Sequence, residues 1–191
     1  MNILISGMTC SGKTTLSNRL SYEFDTSMLR QDDYFKDKKN IPRDENNFFL
    51  FDTPDAFDIN TFIVDVYKLL NLGYVYCPIY DVNRNMRTTN KYKVLKKDIN
   101  VIEGLHTIAL LSNNINSLKI YMDTPIEECL KRRLLRDISK YNMKKLEIIR
   151  YFYEIMLPQY KKHIEYQKEM ADVVINDDDL ERNIKLIRRM L

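Results

Sequence analysis

Residues 7–14 read Gly7-Met8-Thr9-Cys10-Ser11-Gly12-Lys13-Thr14 and match the pattern GxxxxGK[ST] at every fixed position. An apolar run, Ile3–Ser6, precedes the pattern, and an amphipathic segment, Lys13–Tyr22, follows it. The glycines allow the backbone to curl around an anion with its N–H groups pointing inward, and the helix that follows adds the positive end of its dipole. This stretch therefore predicts a strand, a phosphate-binding loop and a helix in direct succession.

The polar residues of this loop have expected roles toward a nucleoside triphosphate. Lys13 is expected to reach the β- and γ-phosphates, and the hydroxyl of Thr14 is expected to bind Mg²⁺. ATP and Mg²⁺ are therefore the predicted cofactors. The residues predicted to bind the nucleotide are Gly7, Thr9, Ser11, Gly12, Lys13, Thr14 and Thr15.

The rest of the chain alternates short apolar runs with helical patterns. Strands are predicted at 27–30, 99–103, 118–122 and 173–175, helices at 59–70, 144–157 and 180–191, and a long loop at 36–56. A further helix follows Met122, for which Thr124 is the predicted N-cap, Pro125 the first residue and Glu127 the capping-box partner. Gly73 is expected to end the helix that precedes it, and Pro158 to interrupt or restart a helix. Strands separated by helices predict a three-layer α/β/α fold with a parallel sheet of about five strands and a helical lid near residues 131–145.

Size and charge limit the classes of function. The 191 residues suit one domain over residues 1–191, and the net charge of +3 is too small to demand a nucleic-acid partner. Apolar runs are too short for a membrane span, and the start of the chain lacks the features of a secretion signal. The three cysteines are far apart, which suits reduced thiols. We expect a cytoplasmic protein without a nucleic-acid or membrane partner, and the oligomeric state stays open.

Other motifs narrow the kind of nucleotide-binding protein. A GTPase needs NKxD, but the nearest string, Asn90–Lys93, has lysine where the aspartate should be. A nucleic-acid motor would be longer than this chain. His106 and His163 show no catalytic or metal-binding pattern. An acidic pair, Asp32-Asp33, follows the second predicted strand, where the ends of parallel strands line a ligand crevice. Asp32 could there accept the proton of a substrate hydroxyl as its oxygen attacks the γ-phosphate.

Several segments resemble the uridine kinase family, and they occur in family order over nearly the whole chain. Gln31–Lys36 is similar to the segment that carries the catalytic aspartate in uridine–cytidine and nicotinamide riboside kinases. Phe51–Asp58 resembles the uridine kinase signature, and Pro78–Asp81 its nucleoside-binding "PxYD" stretch. The remaining resemblances are Glu103-Gly104, the arginine-bearing lid segment Arg132–Asp137 after Asp123-Thr124, and the last strand Ala171–Ile175.

The resemblance implies an enzyme that phosphorylates a nucleoside 5′-hydroxyl, with uridine or cytidine as the expected acceptor. Asp32 would be the catalytic base, and Lys13, Arg133 and Arg136 would act on the phosphates. Thr14 and Glu103 would hold Mg²⁺. The residues implied in substrate binding are Asp32, Tyr34, Asp52, Tyr80, Asn85 and Arg133.

The identity of the acceptor stays open at this point. Asn85 lies near the position where uridine kinases usually have a histidine, and Lys140–Met143 replaces the arginine–glycine lid segment. The double aspartate is more similar to nicotinamide riboside kinases, so a kinase for that nucleoside or another small alcohol is an alternative. A nucleotide-binding regulatory protein without turnover is an alternative of another class. RNA binding through residues 131–150 is a third reading, without a recognisable motif to support it.

Overall fold

The computed structural model describes residues 1–175 and 179–191. The bounds of its helices and strands, in chain order, are β1 (Asn2–Gly7), α1 (Lys13–Phe24), β2 (Ser27–Arg30), α2 (Ile59–Leu72), β3 (Tyr74–Asp81), β4 (Met86–Leu95), β5 (Asn100–Glu103), α3 (Thr107–Leu111), β6 (Leu118–Met122), α4 (Ile126–Tyr141), α5 (Lys145–Tyr151), α6 (Leu157–His163), β7 (Val173–Ile175) and α7 (Leu180–Arg188).

The central sheet is parallel, as predicted. In the described part of the chain it has five strands in the order β2-β5-β1-β6-β7. β1 lies in the middle, with Ile3 paired to Val101 of β5 and to Leu118 of β6. The carboxyl ends of β1, β2 and β5 therefore meet at one edge, which is where a parallel sheet forms its ligand crevice.

Two apolar cores cover the two faces of this sheet. Leu4, which alternates with Ile3 and Ile5 along β1, packs into a cluster that includes Phe62 and Val66 of α2. Ile3 and Ile5 pack on the other face against α1 and α7. Because successive side chains of a strand point to opposite faces, one strand serves both cores. The predicted three-layer α/β/α fold is confirmed.

A two-stranded antiparallel hairpin, β3–β4, lies outside the central sheet. Its strands pair regularly from Tyr74 with Leu95 to Pro78 with Lys91, and the register then shifts so that Tyr80 faces Arg87. The hairpin was not predicted from the sequence. Most of β4 is exposed, so it lacks the regular alternation that identifies a half-buried strand.

The junction between β6 and α4 corrects one prediction. α4 begins at Ile126 and its N-cap is Pro125, with no capping bond from a side chain. Thr124 is therefore not the N-cap, Pro125 is not the first helical residue, and Glu127 does not complete a capping box. The Thr124 hydroxyl instead donates a 2.8 Å hydrogen bond to the Ser11 carbonyl. The side chain is therefore used to attach α4 to the phosphate-binding loop.

The predicted helix over residues 144–157 is present as a composite. α5 continues through one π-helical turn, Phe152–Met156, into α6, where Pro158 lies in the first turn. Proline lacks the N–H for an internal helical bond, so a change of helix type at this point has a physical cause. Gly73 ends α2 with φ 85°, as predicted. Each helix in the two described ranges is too short or too polar to cross a lipid bilayer.

Candidate active site

The loop between β1 and α1 has the backbone of an anion cradle. Gly7 has φ 150° and Gly12 has φ 99°, and Cys10 also has a positive φ, 60°. A Cβ atom at Gly7 would lie 2.6 Å from the carbonyl oxygen of Met122, so a larger residue would push the loop off β6. The sequence pattern thus requires glycine at position 7 for space, and at position 12 for its left-handed conformation.

Two polar side chains of this loop are buried. The Lys13 ammonium donates to the carbonyls of Gly7, at 3.0 Å, and Met8, at 2.7 Å. The Ser11 hydroxyl is buried and has no hydrogen-bond partner within the described residues. A buried hydroxyl without a partner is costly, and a phosphate oxygen bound by the loop would be a suitable acceptor for it.

Glu103 lies at the end of β5, beside the start of α1. The Thr14 hydroxyl donates a 2.9 Å hydrogen bond to its Oε1. Burial raises the pKa of the Glu103 carboxyl, Asp32 raises it further, and Lys13 and Thr14 oppose the rise. A hydroxyl and a carboxylate next to a phosphate cradle are the oxygen ligands that Mg²⁺ prefers.

Asp32 lies on a single 3₁₀ turn, Gln31–Tyr34, directly after β2. Its side chain opens onto the cleft. The surrounding protein partly desolvates the Asp32 carboxyl and so raises its pKa, and the charges of Lys13, Arg136 and Arg30 oppose that rise. The carboxylate therefore faces the phosphate-binding loop and the lid arginines together.

Asp52 approaches the same place from the loop before α2. Burial raises the pKa of its carboxyl, Asp32 adds to the rise, and Arg133, Lys13 and Arg136 oppose it. The backbone is held by His106, whose Nε2 lies 3.0 Å from the Asp52 carbonyl oxygen. The backbone N–H of His106 donates to the side chain of Gln31, at 2.9 Å. One buried histidine thus connects the turn that carries Asp32 with the loop that carries Asp52.

Aromatic rings and an amide line the end of the cleft farther along the hairpin. Phe35 lies between Phe51, 6.0 Å away, and Tyr80, 5.4 Å away, as measured between ring centroids. The Tyr80 hydroxyl is buried without a hydrogen-bond partner in the described ranges, and burial raises its pKa to about 12. Asn85, at the hairpin turn, has φ 52° and lines the same cleft. Flat rings with a few polar groups suit a planar heterocycle.

Two arginines of α4 face the cleft and share one carboxylate. The Nε atoms of Arg133 and Arg136 lie 3.0 Å and 2.7 Å from the two oxygens of Asp137, which is 2% exposed. The Arg133 guanidinium also lies 5.9 Å from the centre of the Tyr151 ring. The Tyr151 hydroxyl donates to the Phe49 carbonyl at 2.5 Å. Asp137 and Tyr151 therefore orient the lid arginines toward the loop that carries Asp52.

These groups line one cleft of about 1450 Å³. The fold brings these residues together in one cleft, and the roles predicted for them stay predictions. The predicted site residues that line the cleft are Thr9, Ser11, Gly12, Lys13, Thr14, Thr15, Asp32, Asp52, Tyr80, Asn85, Glu103, Arg133 and Arg136. Gly7 lies directly beneath, at the end of β1.

Tyr34 differs from the other predicted substrate-binding residues. Its ring is buried in the core against Phe62, and its hydroxyl donates to Asp65 at 3.1 Å. The 3₁₀ turn sends Asp32 and Tyr34 in different directions. Tyr34 is therefore a structural residue, and its predicted contact with the substrate is wrong.

Sequence reasoning missed four residues that support the site. Asp137 was part of a recognised motif, but its burial between two arginines could not be foreseen. The partners of the other three lie far apart in sequence, so no local pattern indicates them. These three residues are Gln31, His106 and Tyr151.

Comparison with known proteins identifies related sequences. The sequence profile of the family described as "Phosphoribulokinase / Uridine kinase family" matches residues 3–182. A protein of Clostridium botulinum (strain Okra / Type B1), named uridine kinase, is 34% identical over 177 residues, which cover 90% of this chain and 85% of that protein.

Solved structures show the same fold. A Silicibacter protein, described provisionally as a fructose transport system kinase, superposes with a TM-score of 0.71 at 17% identity, over 92% of this chain and 89% of that one. A Bacillus stearothermophilus protein, described as a possible uridine kinase, gives a TM-score of 0.58 at 22% identity, over 92% and 88% of the two chains. At these identities the superpositions show the fold alone.

Proposed function

The chain belongs to the phosphoribulokinase/uridine kinase family, and from this premise we propose that it transfers the γ-phosphoryl group of ATP to the 5′-hydroxyl of a nucleoside, with uridine or cytidine as the preferred acceptor. Membership of the family makes the chain a phosphotransferase that acts on a hydroxyl group. The choice of nucleoside, the donor and the residue roles below are parts of the proposal.

One observation carries the proposal: Asp32 lines the same cleft as Lys13 of the phosphate-binding loop and Asp52 of the acceptor side, and the charges of the three groups interact. A hydroxyl that hydrogen-bonds to Asp32 would lie next to the cradle that holds the γ-phosphate. This is the juxtaposition that in-line transfer requires, because positioning supplies much of the rate in phosphoryl transfer.

Asp32 would act as the general base. Its raised pKa makes it a stronger base than an ordinary aspartate. The proton of the 5′-hydroxyl passes to its carboxylate as the oxygen forms a bond to phosphorus and the bond to the leaving ADP breaks. Lys13, Arg133 and Arg136 stabilise the negative charge on the transferring group.

The acceptor's sugar and base have separate contacts. A carboxylate can accept two hydrogen bonds, so Asp52 would bind the vicinal hydroxyls of the ribose. The base would pack among Phe35, Phe51 and Tyr80. The Tyr80 hydroxyl, which has no partner in the described residues, and the Asn85 amide would hydrogen-bond its polar edge.

The residues of the loop fit ATP and Mg²⁺. The left-handed Gly12 and the buried, unpartnered Ser11 hydroxyl are the features that suit a bound phosphate. Mg²⁺, held by Thr14 and Glu103, would supply positive charge next to the β- and γ-phosphate oxygens.

The decisive experiment is a phosphate-transfer assay with ATP and a nucleoside panel, in which wild type is compared with Asp32→Asn. We expect the variant to lose roughly 10²–10⁴-fold in kcat, because a neutral amide cannot accept the proton, while ATP affinity changes little. Asp55→Asn, an exposed residue of the loop before α2, is the matched control and should retain wild-type turnover. An Asp32→Asn variant with undiminished kcat would remove Asp32 from its role.

The panel contains uridine, cytidine, adenosine, guanosine and nicotinamide riboside. We expect the highest kcat/KM with a pyrimidine nucleoside. A higher kcat/KM with nicotinamide riboside would show that the pyrimidine assignment is wrong. ATP binding without turnover of any nucleoside would contradict the proposed acceptor class.

A further inference from the structure

The second aspartate of the acidic pair has partners of its own. The Tyr92 hydroxyl donates a 2.8 Å hydrogen bond to the Asp33 Oδ2. Burial raises the pKa of the Asp33 carboxyl, and both this bond and the nearby backbone N–H of Tyr80 oppose the rise. Both partners belong to the β3–β4 hairpin. Asp33 therefore connects the hairpin to the residue next to Asp32.

The hairpin needs such connections. A two-stranded hairpin is marginally stable alone, and this one lies outside the central sheet. Its register shift lies between Pro78 and Tyr80, so strand pairing alone constrains Tyr80 weakly. The hydrogen bond from Tyr92 to Asp33 is made next to this shift, where Tyr92 faces Cys77.

A second set of bonds fixes the other end of the hairpin. The Arg87 guanidinium donates to the carbonyls of Tyr34 and Phe35, at 3.0 Å and 2.9 Å, and to Asp58 at 3.0 Å. The Asn85 carbonyl accepts from the Lys38 backbone N–H at 2.9 Å. These bonds hold the turn and Arg87, the residue that faces Tyr80, whereas Asp33 holds the hairpin on the other side of the register shift, at Tyr92.

We propose that Asp33 is a positioning residue: through its hydrogen bond with Tyr92 it sets the distance between the base-binding end of the cleft and Asp32. The proposal rests on the proposed function, in which the acceptor extends from Asp32 to Tyr80. The two aspartates then have different tasks, since Asp32 faces the reacting hydroxyl and Asp33 faces the hairpin. Asp33 influences acceptor binding without touching the acceptor.

The test compares Tyr92→Phe, Asp33→Ala and the double variant with wild type. Each single variant should raise the acceptor KM roughly five- to twentyfold, because a hydrogen bond to a charged group is lost, while kcat and the KM for ATP stay within about twofold. The double variant should be no worse than the worse single variant, because both remove one interaction. Tyr76→Phe is the matched control: Tyr76 lies on β3 with its ring exposed, and the change should be neutral.

Other outcomes would overturn the proposal. A large kcat loss in Asp33→Ala with a neutral Tyr92→Phe would mean that Asp33 acts on the substrate directly. Equal rises in the KM for ATP and for the acceptor, with a lower melting temperature, would indicate general destabilisation. Multiplicative effects in the double variant would show that Asp33 and Tyr92 act independently.

Hydrogen–deuterium exchange without substrate separates failure of this proposal from failure of the proposed function. Tyr92→Phe and Asp33→Ala should speed amide exchange in residues 78–92, and Tyr76→Phe should not. This readout holds even if wild type phosphorylates none of the nucleosides in the panel. Unchanged exchange in both variants would overturn the positioning role.

Discussion

His106 links Asp52 and Gln31, and its buried ring is held neutral. Burial lowers the pKa of His106 to about 4, and the nearby charges of His163 and Lys13 lower it further, while the hydrogen bond with the Asp52 backbone opposes the shift. A neutral imidazole donates one hydrogen bond, which Nε2 can give to the Asp52 carbonyl. The histidine therefore has a positioning role that needs no proton transfer.

Replacing His106 by leucine should weaken the fold and the acceptor site together. The Asp52 carbonyl would lose its buried donor, which costs roughly 1–3 kcal/mol of unfolding free energy by urea titration. We also expect a several-fold rise in the acceptor KM, because Asp52 would be less well placed. Wild-type KM in this variant would contradict the positioning role.

The same variant should change how stability depends on pH. The folded-state pKa of His106 lies below its unfolded value of 6.5, so the unfolded chain takes up a proton that the folded chain does not. Wild type should therefore lose roughly 3 kcal/mol as the pH falls from about 6.5 to about 4. His106→Leu should lack this part of the loss, whereas His163→Gln, at a more solvated histidine, should retain it.

Sequence reasoning placed residues in the cleft correctly where their position depends on their neighbours in the chain. Lys13 and Thr14 are set by the glycine spacing around them, and Asp32 by its place after a strand. It failed for Tyr34, because one 3₁₀ turn decides which side chains face the cleft and which the core. It could not reach His106, whose partners are 54 and 75 positions away.

The junction between β6 and α4 connects the lid helix to the phosphate-binding loop. At this junction the hydroxyl of Thr124 donates to the Ser11 carbonyl, and replacing that one hydroxyl removes the bond. Thr124→Val keeps the shape and deletes that donor. We expect the KM for ATP to rise several-fold in a steady-state assay, because the loop loses a support and a buried carbonyl loses its partner.

The acceptor KM should change less than the KM for ATP in Thr124→Val. Thr89→Val is a suitable control, since Thr89 is exposed on β4. An unchanged KM for ATP would show that the loop keeps its conformation without this bond.

At the scale of elements, prediction worked best for buried strands and amphipathic helices. β1, β2, β6 and β7 lie within about one residue of the predicted ranges, because continuous apolar runs identify buried parallel strands. The β3–β4 hairpin lacks such a run, and Pro78 within it argues against a strand. Its place is fixed by bonds to distant loops, which the local sequence does not encode.

In the whole molecule, the carboxylates gathered in the cleft lower the free energy of unfolding, because the folded state disfavours their ionised form. Burial raises the pKa of Asp52 and Glu103, desolvation by the cleft walls raises that of Asp32, and Asp32 adds to the cost of ionising the other two. A folded-state pKa above the unfolded value means that folding disfavours the ionised group, so this penalty is present at neutral pH. Active sites commonly carry such a cost.

Asp32→Asn should therefore raise the melting temperature of the ligand-free protein at pH 7. The rise should be about 2–4 °C for each kcal/mol by which the substitution increases the free energy of unfolding. The gain should disappear as the pH falls below the ordinary aspartate pKa of 3.8, where the carboxyl is protonated in both states. Differential scanning calorimetry of wild type and Asp32→Asn over this pH range checks both statements. A lower melting temperature at pH 7 would mean that attraction to Lys13 outweighs burial.

The order of elements predicted the overall architecture well. Alternating strands and helices gave the parallel sheet and the two covering layers, because few topologies satisfy that order. A single domain over residues 1–191 stays a prediction. The cleft itself could only be anticipated in outline, since its far wall is made by the hairpin.

The separate attachment of that hairpin has an evolutionary consequence. The phosphate-binding loop is supported by β1, β6 and the lid helix. The hairpin, which would recognise the acceptor, is instead held by hydrogen bonds to residues of other loops. Mutation can therefore remodel what is recognised while the machinery for transfer is inherited intact. A chimaera that carries the hairpin of a relative, together with that hairpin's anchoring aspartate and arginine, should acquire the acceptor specificity of the relative.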